Sequence, residues 1–407
     1  MTRFARSDEA QTFAKPTLSR NRAYLNRSFP RGSTARWREF CRPAPITFRK
    51  TSLVTSPEPS LSTASPNFRA LPKALLHEHL DGGLRPATLL ELARVRGLAL
   101  PTDNAAALAD WMHANADSGS LERYLRGFAL TVGAMSTQEA CERVAFEAAE
   151  DARLDGCVLA EFRMAPLLLE PHGLAGEAVV EALAAGLARS SLACGLIVCA
   201  MRTDSPDETL RAADLAARYA RRGAGQGVVG FDLAGAERGF PPTAHAAAFA
   251  RARDAGLGLT CHAGESDTGA RVLEAAGLGA TRIGHGVHIM SGASAGETAR
   301  RVDAARALGL HFEVCASSNV HTGAFASLAV HPIRAMLEAG LSVSCSTDNR
   351  LMSGTTLSDE LAAVHDQPGL SVAQLAQTMR SAVSASFLNA EVRATALRAM
   401  QGWGALV

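Results

Sequence analysis

The chain has 407 residues, 47% hydrophobic and 20% charged, which is ordinary for a globular protein and leaves enough apolar mass for one large domain or two average ones. Its formal net charge of +1 hides an asymmetry: residues 1–65 hold twelve Lys/Arg against four Asp/Glu, and the remainder 29 against 36. A mildly acidic body does not point to nucleic acid, and no window approaches the ~18 to 20 consecutive apolar residues of a transmembrane helix.

Residues 1–66 are rich in Arg, Ser, Thr and Pro and lack a sustained hydrophobic period, so a disordered basic tail is expected there. A flexible tail, a start codon placed too far upstream and an organelle-type transit peptide all fit that composition. The eight cysteines, Cys41, Cys141, Cys157, Cys194, Cys199, Cys261, Cys315 and Cys345, are scattered with no C-x-x-C pair. That usage suits a reducing, cytoplasmic compartment.

The first apolar run, "KALLHEH" at 73–79, predicts a strand. In a strand, positions i, i+2 and i+4 share a face, so His77, His79 and Asp81 could converge on one point. A helical H-E-x-x-H zinc motif fails, because Asp81 stands where the second histidine should be. After it, Leu121, Tyr124, Leu125 and Phe128 recur at helical spacing, a stripe that fits ordinary core packing. Further strands are predicted at 157–163, 194–201, 228–233, 257–262, 281–285, 311–315 and 341–347, separated by amphipathic stretches such as "DETLRAADLAARYARR" and "AGETARRVDAARALG". Eight strands alternating with helices predict a (β/α)8 barrel over 67–407, with additional helices after the first strand. A doubly wound open sheet is the alternative, but no G-x-G-x-x-G or P-loop supports it.

In such barrels the chemistry lies at the C-terminal ends of the strands. The unusual residues fall there: His77 and His79 after the first strand, "DLAG" after the fourth, His262 and Glu265 after the fifth, His285 after the sixth and Asp348 after the eighth. Three histidines and a carboxylate suit Zn2+ with a position left for water, whose pKa the metal lowers toward neutrality. Glu265 could deliver a proton beside the metal, and His285 could hold the nucleophile or steady its charge.

These residues lie in stretches that resemble the adenosine deaminase family of metal-dependent amidohydrolase barrels from Leu71 onward: "LHEHLDGGLRP", "SLERYLRGFALTVGAM", "VLAEFRMAP", "FDLAGAE", "CHAGE", "RIGHGVHI", "CASSNVHTG" and "STDNRLMSGTTLSDE". The resemblance implies one zinc per chain on His77, His79, His262 and Asp348, with Glu265 protonating purine N1 and His285 and Asp348 positioning the attacking water. It also implies substrate contacts from His79, from Asp81 to the ribose 5′-hydroxyl and from the Gly235 N–H to purine N3, and it makes the Leu121 stripe a lid over the ribose. Asn349 stands where the family commonly has a second aspartate facing purine N7; an amide donates there at any pH, a carboxyl only when protonated. The implied reaction is hydrolysis of adenosine and 2′-deoxyadenosine to inosine-type products and ammonia, as in purine salvage, with a small nucleoside and neither nucleic acid nor membrane as partner. Asp81 disfavours a 5′-phosphate by charge. Alternatives are a deaminase of adenine or of N6- or 5′-modified adenosine, another amidohydrolase, or a silent binding barrel. A cytidine-deaminase zinc site is ruled out, because no P-C-x-x-C follows an H-x-E.

Overall fold

The computed structural model describes residues 66–220 and 227–405; the expected tail, the last two residues of "DETLRAADLAARYARR" and Cys41 fall outside them. Eight parallel strands follow one another in chain order around a barrel: β1 Lys73–His79, β2 Cys157–Met164, β3 Ala193–Met201, β4 Val228–Ala234, β5 Gly258–Ala263, β6 Arg282–His285, β7 His311–Val314 and β8 Ser342–Cys345. Every one overlaps a predicted strand. They are buried on nearly every residue, because a parallel strand inside a ring of helices has no solvent face and so reads as an unbroken apolar run.

Closure of the ring falls at the residues of interest. Glu78 and Asp348 form a parallel bridge, in which the Asp348 N–H donates to the His77 carbonyl at 2.9 Å and the His79 N–H to the Asp348 carbonyl at 2.7 Å. The first and last strands are thus zipped together by the backbone of three candidate site residues.

The helices are started by side chains matched to their orphan N–H groups. Ser205 caps Pro206–Arg218, Thr137 caps Gln138–Leu154, and Thr356 and Ser371 form capping boxes for Leu357–Asp366 and Val372–Ala385. Among the described residues the seven cysteines are all free and buried, and no helix is long and apolar enough to cross a membrane.

Two local expectations change. β1 ends at His79, and Asp81 sits in the 3-10 turn Leu80–Gly82, so the two-residue period that aligns His77 and His79 does not carry Asp81. The stripe is not one helix either: Leu121–Tyr124 and Phe128–Ala134 are joined by a 3-10 turn, Leu125–Gly127. Leu121 and Tyr124 are buried, while Leu125 and Phe128 are partly buried against the core.

Candidate active site

The side chains of His77, His262, His285 and Asp348 meet at the barrel mouth, each offering one ligand atom within 4.8 Å of the others. His79 joins them, its Nε2 3.2 Å from His262 Nε2 and 3.5 Å from Asp348 Oδ1. His285 and Asp348 have φ of 59° and 61°, the only positive values at non-glycine residues among those described. Left-handed backbone costs a β-substituted residue of order 1 kcal/mol or more and persists where surrounding contacts impose it, often at functional sites.

The ring orientations are set from behind. His77 Nδ1 lies 2.9 Å from Glu313 Oε2, and His262 Nδ1 lies 3.0 Å from Asp232 Oδ2. A carboxylate facing Nδ1 accepts a hydrogen bond from the Nδ1–H and leaves an unprotonated Nε2 turned toward the mouth, the arrangement that metal-binding histidines use. Nε2 of His77 is buried with no hydrogen-bond partner, which is costly unless something fills the position. Three imidazoles, a carboxylate and an orphaned inward nitrogen fit a divalent cation with borderline-soft preferences.

Arg163, fully buried, binds the two supporting carboxylates together, donating to Asp232 Oδ2 at 2.9 Å and Glu313 Oε2 at 2.5 Å. Burial by itself would raise both carboxyls. The charges of His262 and Arg163 hold Asp232 well below the usual range, and those of Arg163 and Arg282 do the same for Glu313. Asp348 is likewise held down against burial by His77, whose Nε2 lies 3.4 Å from Oδ1, and by the other surrounding histidines, and Ser318 Oγ donates to its Oδ2 at 2.5 Å.

Glu265 has the opposite environment. Burial, reinforced by the charges of Asp348 and Glu237, pushes its carboxyl well above the ordinary value. Thr322 Oγ1 lies 3.2 Å from Oε1 and His285 Nε2 3.8 Å from Oε2. The loop that carries it is clamped by one residue, Glu237, whose carboxylate accepts the N–H groups of Gly264, Glu265, Ser266 and Asp267 at 2.5 to 3.0 Å. A carboxyl kept neutral beside cation-binding groups can donate a proton to a substrate.

The remaining candidates line the same end. Gly235 follows β4 with φ 94°, and a Cβ there would meet Met201 Cε at 3.0 Å, so a side chain is disfavoured both by conformation and by space. Asp81 is buried, its Oδ1 has no partner, and burial raises its pKa to about 7. Asn349 precedes the short helix Arg350–Ser353, yet its side chain makes no capping bond and its Oδ1 is buried without a partner. It lies so close to Gly82 that a Cβ on that residue would come 1.8 Å from Oδ1.

A model of the adenosine deaminase family matches residues 72–403. The chain belongs to the adenosine deaminase family. It is 41% identical over 337 residues to the adenosine deaminase of Mycobacterium ulcerans, covering 79% of this chain and 91% of the relative. With the adenosine deaminase of Mycobacteroides abscessus the identity is 43% over 333 residues, covering 78% and 90%. Among solved structures, an adenine deaminase from Arthrobacter aurescens superposes with a TM-score of 0.75 at 27% identity, covering 83% of this chain and all of that one. An Arabidopsis N6-mAMP deaminase superposes at 0.71 with 25% identity, covering 82% and 98%. The family is metal-dependent, and its members act on small purine nucleosides or nucleotides.

Glu313, Arg163, Glu237, Asn319 and Thr322 belong to the site and carried no role in the sequence reading. A charged residue inside an apolar strand run, as at Arg163, Asp232 and Glu313, was the available signal for the first two.

Proposed function

We propose that this family member hydrolyses adenosine and 2′-deoxyadenosine to inosine-type products and ammonia with one zinc ion held by His77, His79, His262 and Asp348. The observation that carries the reading is the juxtaposition of the His77, His262, His285 and Asp348 cluster, with His79 beside it, and Glu265, a buried carboxyl raised well above its ordinary range. When bound, zinc lowers the pKa of water toward ~7 and supplies a nucleophile near neutral pH.

Addition at C6 breaks purine aromaticity, so the ring must first become electrophilic. Neutral Glu265 does this by donating its proton to N1. His285 and Asp348 hold the attacking water against the C6 face. The Gly235 N–H meets N3, the Asn349 amide donates to N7, Asp81 bonds the ribose 5′-hydroxyl, and the Leu121–Phe128 stripe covers the sugar. As the tetrahedral C6 collapses, its hydroxyl proton passes to the amino group, the C6–N bond breaks, and ammonia leaves a C6 carbonyl behind. Cytoplasmic residence fits the seven cysteines among the described residues, all buried and unpaired.

The name of the bacterial relatives and the buried carboxyl of Asp81 support a nucleoside over a free base or a nucleotide. Ammonia release on adenosine, 2′-deoxyadenosine, adenine, AMP and N6-methyl-AMP tests this. Adenosine should give the highest kcat/KM, and tenfold better use of adenine or of either nucleotide would overturn the assignment.

A further inference from the structure

A chain of hydrogen bonds behind His285 begins at a group that can only donate. The backbone N–H of Ile333, first residue of the helix Ile333–Glu338, points at His331 Nδ1 at 3.2 Å. That nitrogen must therefore be the bare one, and a neutral His331 ring carries its hydrogen on Nε2. His331 Nε2 lies 3.2 Å from Asn319 Oδ1, which needs such a donor and fixes which way the amide faces. Asn319 Nδ2 then points at His285 Nδ1 at 3.0 Å. A ring nitrogen facing an N–H cannot itself hold a hydrogen, so the hydrogen of His285 resides on Nε2, the atom turned toward Glu265. All three side chains are buried, and the Phe325 ring packs edge-on against His331 at a centroid distance of 5.3 Å, so water does not compete along the chain.

We infer that His331, acting through Asn319, is a positioning residue that locks His285 in the tautomer with a protonated Nε2, so that His285 meets the attacking water as a hydrogen-bond donor. The inference rests on the placement of His285 beside that water. An Nε2–H has no lone pair to offer. His285 therefore stabilises charge growing on the oxygen and does not take the water's proton, which leaves the Asp348 carboxylate as the acceptor. The same lock makes His285 Nε2 unsuited to ligate a cation, although it lies within the cluster, and leaves that role to His79.

Holoprotein with isotope-labelled histidines, read by long-range proton–nitrogen correlation, tests the lock directly. The ring that disappears in His285→Gln should show a protonated Nε2 and a bare Nδ1. In Asn319→Asp the carboxylate accepts from both sides, so the hydrogen should move to Nδ1. With it, kcat should fall ~10² to 10⁴-fold, the worth of a positioned proton-handling group, while KM and metal content stay near wild type. Should Asn319→Asp fail to fold, His331→Leu should lower kcat at least ~10-fold with unchanged KM, and His331→Gln, which again offers an N–H and a carbonyl, should recover most of it. A wild-type His285 protonated on Nδ1, or equal kcat in His331→Leu and wild type, would overturn the inference. The spectrum reads the tautomer whether or not adenosine is turned over, so a wild-type protein inactive on adenosine would strike the proposed function and not the lock.

Discussion

In the lower half of the barrel Arg282 donates to Glu313 and Glu161, Glu161 also accepts from Ser386, and both ring nitrogens of His311 are held by Ser342 and Ser344. At the mouth, Nε2 of His77, Oδ1 of Asp81 and Oδ1 of Asn349 are buried with no hydrogen-bond partner. Both ends bury polar and charged groups at similar depth. Below, the partners come from the fold; above, a few inward-facing atoms lack one and two backbones adopt positive φ, the features of an end shaped for a ligand.

The largest expected effect is at the mouth. Glu265→Gln should lower kcat by ~10² to 10⁴-fold while metal content and melting temperature stay close to wild type. Its pH dependence has a definite sign: burial keeps the proton on this carboxyl to higher pH than on an ordinary glutamate, so kcat/KM should decline as pH rises through that raised pKa. Stopped assays across pH check both statements, and unchanged turnover would move the acid elsewhere.

Below, the cost should appear as stability. Arg282→Met strands the buried Glu161 and removes one partner of Glu313, and should cost about 3 to 5 kcal/mol in urea denaturation. A variant as stable as wild type would erase the contrast between the two ends.

His311 sharpens it further. Burial and the charge of Arg282 lower its pKa to about 3, so as pH falls below ~6.5 the unfolded chain takes up a proton that the folded chain refuses. Stability should decline through that window, by about 2 kcal/mol from this group at pH 5. His311→Gln should flatten the decline between pH 7 and 5, and an identical slope would show the ring is not responsible.

The smallest effect returns to the mouth. If the Asn349 amide donates to purine N7, 7-deazaadenosine should lose about 1 to 3 kcal/mol of transition-state binding. Asn349→Asp should make kcat/KM fall more steeply with rising pH than in wild type. Undiminished turnover of the 7-deaza substrate with superimposable profiles would leave Asn349 as a packing partner of Gly82.

All eight strands were legible because each is a short, largely apolar run between helix-patterned stretches, and the barrel rule places the residues at and just after their C-terminal ends at one mouth. His77, His262, His285 and Asp348 could be picked out on that ground. Asp81 shows where the period stopped helping, since the chain leaves the strand at His79. The stripe from Leu121 to Phe128 kept its apolar spacing across a 3-10 turn that spacing could not reveal. The clamp from Glu237 and the path from Ile333 through His331 and Asn319 were hidden for another reason. They join segments distant in sequence, and neither a glutamate after a strand nor a histidine before a proline announces its partner.

On the proposed reading, His77, His79, His262 and Asp348 hold a zinc ion at the mouth and adenosine is deaminated there. The loss of adenosine's ultraviolet absorbance, followed alongside metal analysis of the same preparation, tests it most directly. Wild type should carry about one zinc per chain and turn adenosine over, while His262→Ala loses both. Full activity in a metal-free preparation would contradict the account.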